Sequence, residues 1–284
     1  MEPMPRKSQH TDMTEVFDRS RHGNVVVVQE TPAGRRALKV YRRRRGWLRE
    51  ALGRVSHRLF EGKRSPSALA RWETERSSIQ LWSRHGFDVP GLIDAPPPPE
   101  LEGELFSWFE FVPGRPLFWH LVDPEVALSE KLTLARQLGR DSRRRHALAL
   151  ELNEPLLLHE HPTTKHVLVS ADRLVTIDLE GGYRSDFSPE VAAGLEVAGV
   201  VRSLWRDADQ DPLSEALPWA YVEGYGDLPL LREVARAAGG GLRGALHRWS
   251  DRRRRARPKS TVLRALLCAS ATCAGPAASY PATC

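Results

Sequence analysis

One change of pattern along the chain constrains its fold more than any other feature. Up to about residue 112 the apolar residues fall in short runs separated by turn residues, and from Asp123 onward they recur at helical spacing with a single hairpin among them. A chain that gathers strands first and helices afterwards folds as α+β, a strand-rich part followed by a helical body. Asn24–Gln29 reads as a strand, Thr31–Gly34 as a turn and Arg36–Tyr41 as the returning strand. Leu48, Leu52, Val55 and Leu59 mark a basic amphipathic helix after the arginine run 42–45, and a second helix spans Ser67–His85, opened after Pro66 and stopped at Gly86. Four prolines at 96–99 suit a surface loop, and Leu105–Val112 is the next strand, closed by Pro113 and Gly114. Helices are expected at Glu125–Leu150, Pro189–Arg206, Pro218–Tyr225 and Leu228–Trp249, around a hairpin of His166–Val169 and Leu174–Asp178. The divisions that follow are a polar stretch 1–15, a first lobe 16–112, a helical lobe 113–256 and a tail 257–284 without periodicity; the stretch and the tail are expected to be disordered.

The chain has 284 residues, 41% of them hydrophobic, enough for one large domain or two lobes around a cleft. No apolar run approaches the ~18–20 residues that cross a bilayer, and the first residues lack the apolar centre of a signal peptide, so a cytoplasmic protein is expected. The three cysteines, Cys268, Cys273 and Cys284, crowd the end of the chain, which argues against a disulfide framework or a cysteine zinc site. The net charge is +6, and all but six of the 42 basic residues are arginine. Against that background Lys39 and Lys165 stand out, because an ammonium and a guanidinium do different chemistry. The arginine runs 143–145 and 252–255 come with no nucleic-acid module, so no specific nucleic-acid partner is expected.

Four segments carry candidate chemistry. In Arg36-Ala37-Leu38-Lys39-Val40-Tyr41, strand alternation turns Lys39 to the face opposite Leu38 and Val40, so the cation can reach a cleft while its neighbours pack. In the helix around Trp72-Glu73-Thr74-Glu75, residues Trp72, Glu75, Ile79 and Trp82 share one face, which aims Glu75 inward. Trp108-Phe109-Glu110-Phe111-Val112-Pro113-Gly114 is a strand that breaks, and such a break offers unpaired backbone groups to a flat ring. Last comes His159-Glu160-His161-Pro162-Thr163-Thr164-Lys165-His166, followed by Asp178-Leu179-Glu180-Gly181.

In this order the four segments resemble the protein-kinase-like fold, with a strand-rich N-lobe and a helical C-lobe, and most of all the bacterial lipopolysaccharide kinases of the Kdo and heptose kinase kind, over about residues 20–225. The resemblance implies ATP and Mg²⁺ as cofactors. Lys39 would hold phosphates and Glu75 would hold Lys39; Glu110 and Val112 would meet the adenine through their backbones; Asp178 and His166 would ligate the metal. His161 stands where the family places its catalytic aspartate. Either His161 or the adjacent Glu160 accepts the acceptor's proton, with Lys165 adding positive charge near the γ-phosphate, or the chain is a pseudokinase serving as a binding or regulatory module. The turn before Asn24 offers only His22-Gly23 in place of a glycine-rich loop, a degeneracy usual among lipopolysaccharide kinases. The implied partners are a nucleotide and a sugar or glycolipid acceptor. The basic helix after Tyr41 adds an expected peripheral contact with an anionic surface at the inner membrane.

Overall fold

The computed structural model describes residues 24–32, 34–42, 64, 67–207 and 216–239. The N-terminal stretch, the basic helix around Leu48–Leu59, the end of the helix expected to reach Trp249, and the tail lie outside the described residues.

The first lobe consists of β1 (Val25–Thr31), β2 (Gly34–Tyr41), α1 (Ala68–Arg84), β3 (Leu92–Ile93) and β4 (Leu105–Glu110). Its strands form one antiparallel sheet in the order β1-β2-β4-β3, with Lys39 opposite Val26 on one side and Ser107 on the other. The β-branched run Val25–Val28 and the alternation along β2 explain this choice. Leu38 and Val40 are buried with Val27, Leu101 and Trp108 in a small core of the lobe's own, while Lys39 and Tyr41 turn to the opposite face. Helix α1 starts where Ser67 Oγ accepts the Ala70 N–H at 3.2 Å, and it stops at Gly86, whose φ of +70° is left-handed backbone that glycine adopts readily.

The second lobe runs through β5 (Arg115–Pro116), α2 (Leu117–Val122), α3 (Leu128–Glu151), β6 (Val167–Ser170), β7 (Arg173–Thr176), α4 (Pro189–Asp207), α5 (Ala216–Tyr225) and α6 (Leu228–Gly239). Strands β5, β6 and β7 make a second antiparallel sheet. Both β5 and α2 are additions to the sequence expectation, being too short for periodicity to reveal. The main core reaches from Ile79 and Trp82 of α1 and Phe109 of β4 into α3, α4, α5 and α6, so the lobes share one apolar interior. Trp82 ties them further, its Nε1 donating to the Leu156 carbonyl at 2.9 Å. This is the α+β arrangement expected from the order of elements, a strand-rich first lobe followed by a helical second one. No described helix is long and apolar enough to cross a membrane.

Candidate active site in the interlobe cleft

A cavity of about 570 Å³ lies between the two sheets. Its apolar part is built from Val26 and Val28 of β1, Ala37 of β2 and Phe109 of β4, facing Leu168 of β6 and Ile177 just past β7. Val26 and Val28 are 50% and 38% exposed because they face this space rather than the core. Apolar side chains from two facing sheets make a slot suited to a flat heterocycle. At its edge β4 ends at Glu110, whose N–H donates to the Gly91 carbonyl at 2.8 Å, leaving its carbonyl to be offered. Val112 lines the same edge and makes no backbone hydrogen bond among the described residues.

The opposite end of the cavity is charged. Lys39 Nζ lies 2.8 Å from Glu75 Oε2, 2.6 Å from Asp178 Oδ1 and 3.3 Å from Glu180 Oε2. Tyr41, two residues along β2 on the same face, donates to Glu75 at 2.6 Å. Burial pulls the Lys39 ammonium down, but Glu75, Asp178 and Glu180 together outweigh it and hold the group above its ordinary value, so it stays charged. Burial also pushes Glu75 up against the pull of Lys39. For Asp178 burial is outweighed by the pull of Lys39, and its carboxyl is held down at about 2.

Asp178 divides its oxygens, with Oδ1 on Lys39 and Oδ2 facing His166 Nε2 at 3.5 Å. His166 Nδ1 lies 3.0 Å from the His161 carbonyl. That carbonyl can only accept, so in the neutral ring Nδ1 carries the proton and Nε2 presents a lone pair to the carboxylate. Two lone-pair donors facing one another fit a divalent cation, and Asp178 and His166 are the residues that would hold it.

The loop bearing these residues is pinned along one face of α4. Glu196 Oε2 accepts the His159 N–H at 2.8 Å, and Glu196 itself is held by Arg145 of α3, which also donates to the Leu157 carbonyl at 2.8 Å. One turn on, Gly199 leaves room for Pro162: a Cβ there would lie 2.6 Å from the proline Cγ. Further along, Ser203 Oγ accepts the Thr164 N–H at 3.2 Å and Asp207 accepts the Thr164 hydroxyl. Asp178 has a φ of +62°, a strained value for a non-glycine residue, and His159 Nε2 stands 3.2 Å from its carbonyl.

His159 has a consequence for pH. Burial, reinforced by the nearby His166, lowers its value to about 4, and burial lowers that of His146 as well. The unfolded chain therefore binds these protons more readily than the fold does. Stability is fully present above about pH 6.5 and falls as the pH drops towards 4, with about 3 kcal/mol from His159 over that window. Denaturant unfolding at pH 7 and pH 5 should show this loss, and His159→Asn should flatten the slope. A slope unchanged in that variant would contradict a neutral, buried His159.

The structure gathers Lys39, Glu75, Glu110, Val112, His166 and Asp178 around one cavity. Glu160 and His161 do not line it; they pair with each other, His161 Nε2 to Glu160 Oε1 at 3.3 Å, with the carboxylate largely buried and the imidazole 53% exposed. Lys165 is also absent from the lining, its Nζ lying 4.8 Å from the centre of the Phe118 ring on α2. Sequence reasoning missed Asn24, Tyr41, Arg71 and Glu180 as members of the site. Arg71 could have been found four residues before Glu75 on the same helical face, and Glu180 two residues after Asp178.

No family model and no curated protein matches the sequence. Among solved structures the chain is loosely similar to a "putative aminoglycoside phosphotransferase" from Ralstonia eutropha, with a TM-score of 0.37 and 12% identity over 91% of this chain and 95% of that one. It is also similar to the kinase domain of Mycobacterium tuberculosis PknI, solved as a cysteine-to-alanine mutant, with a TM-score of 0.35 and 16% identity over 87% and 90%. Overlaps this loose carry no weight for function; the ion pairs at the end of the cavity do.

Proposed function

We propose that this chain binds ATP with Mg²⁺ in the interlobe cleft and transfers the γ-phosphoryl group to a hydroxyl. The single observation that supports this most is Lys39 bridging Glu75 and Asp178 at the closed end of an apolar slot. Three carboxylates there against two cations, Lys39 and Arg71, leave an excess of negative charge that would repel a polyphosphate. A divalent cation on Asp178 and His166 reverses that balance, and its contribution when bound is to neutralise charge on the phosphate oxygens. The slot takes the adenine, with the Glu110 carbonyl and Val112 N–H at its edge, and Lys39 holds the phosphates.

The base is the Glu160–His161 pair. Glu160 Oε1 faces His161 Nε2 at 3.3 Å, and a neutral imidazole that keeps its proton on that nitrogen presents Nδ1 as the base for the proton of an acceptor hydroxyl. The acceptor we favour is a sugar of the lipopolysaccharide core or a related glycolipid. The exposed Trp119 beside Phe118, with Lys165 over the latter ring, offers an aromatic and cationic surface next to the loop that such an acceptor would suit. Contact with an anionic membrane surface through the basic segment after Tyr41 belongs to the same proposal.

ADP release with and without a lipopolysaccharide-core oligosaccharide is the test. Wild-type turnover stimulated by the oligosaccharide and reduced about 100-fold or more in His161→Ala supports the reading. Nucleotide binding without turnover in any condition would establish the pseudokinase alternative instead.

A further inference from the structure

We propose, resting on the nucleotide-binding reading above, that Arg71 joins Lys39 in a two-cation subsite for the phosphate chain, and that the Glu180 carboxylate competes with phosphate for it. Glu180 Oε2 lies 3.3 Å from Lys39 Nζ and 3.3 Å from Arg71 Nη1, so a single carboxylate is shared between the two cations. Asn24, at the entry to β1, braces the arrangement by donating to Glu180 and accepting from Arg71. All four residues line the cavity, with Arg71 3% exposed and Glu180 8%. Arg71 stands one helical turn before Glu75, so the face of α1 that brings a carboxylate to Lys39 also brings a guanidinium beside it.

A guanidinium receives carboxylate and phosphate oxygens with the same fork of donors, and it does so most strongly where water is excluded. One pair of cations cannot hold both anions in the same place. Phosphate entering between Lys39 and Arg71 therefore displaces Glu180, and the affinity observed is the phosphate's own less that of the resident carboxylate. The five residues ahead of Asn24 hold a single glycine, Gly23, where a glycine-rich sequence would supply amides to wrap the phosphates, and Arg71 supplies positive charge from the helix instead. The expected sign is the reverse of that for an ordinary site residue: removing the Glu180 charge tightens binding.

Titrating inorganic tripolyphosphate into the full chain in EDTA, followed by calorimetry, reads this directly. Glu180→Gln should bind at least about tenfold more tightly than wild type, and adding Arg71→Gln should abolish the gain. Should Arg71→Gln fail to fold, Arg71→Lys in the Glu180→Gln background should lose about threefold, since a point charge replaces the fork. Equal or weaker binding by Glu180→Gln overturns the proposal. Weaker MgATP binding with tripolyphosphate affinity unchanged also overturns it, by making Glu180 a metal ligand. A wild type that binds MgATP beside a Glu180→Gln variant that gains nothing defeats this proposal alone. A gain for tripolyphosphate in a protein that does not bind MgATP defeats the functional reading alone.

Discussion

Lys39→Met should lower phosphoryl transfer by about 100- to 1000-fold, the usual effect of removing one preorganised charge from the developing transition state. It should also destabilise the fold at neutral pH by about 3 kcal/mol, because Glu75, Asp178 and Glu180, whose ligand atoms lie within 4.8 Å of one another, lose the cation they share. The pH dependence separates this from simple loss of packing. Burial already pushes Glu75 up, and without Lys39 nothing of comparable strength opposes that rise, so the deficit is present at pH 7 and shrinks as the pH falls and the carboxyl takes up its proton. Unfolding of the variant relative to wild type at pH 7 and pH 5 checks the expectation. A deficit that does not change with pH would show that the carboxylates do not depend on Lys39.

Glu196→Ala should cost about 3–5 kcal/mol, the range for stranding a buried charge. Glu196 is 1% exposed, pairs with Arg145 and accepts the His159 N–H, so its removal leaves a buried guanidinium unpaired and releases the loop at the same stroke. Arg145 pulls the Glu196 carboxyl well below its ordinary value despite burial, which keeps the anchor ionised. Glu196→Gln keeps the shape and an acceptor oxygen, so it should cost less than Glu196→Ala while still weakening the hold on Arg145. A change under 1 kcal/mol for Glu196→Ala in chemical denaturation would mean that the loop is held elsewhere.

What the sequence disclosed and what it hid divides along physical lines. Lys39 and Glu75 were legible because each position follows from a local rule, alternation along β2 for one and the spacing of Trp72, Glu75, Ile79 and Trp82 for the other. Trp72 is only half-buried, its Nε1 donating to the Phe106 carbonyl at 2.7 Å, so the face that really turns inward is centred on Arg71, Glu75, Ile79 and Trp82. Asn24 and Glu180 are 156 residues apart and meet only because the lobes close on each other, which no local pattern encodes. The same holds for the anchors of the loop: Glu196, Gly199, Ser203 and Asp207 lie along one face of α4, yet nothing in that helix names its partners. Lys165 shows the converse, for a motif position suggested the γ-phosphate while packing set its ammonium over Phe118.

Calorimetric titration of ATP into the wild type and Asp178→Ala, each in Mg²⁺ and in EDTA, tests most directly whether this cleft is a nucleotide site. Binding to the wild type should be tighter with Mg²⁺ than with EDTA, and Asp178→Ala should lose that metal-dependent gain. No binding by the wild type, or a metal effect that survives the loss of the Asp178 carboxylate, would contradict a nucleotide site there.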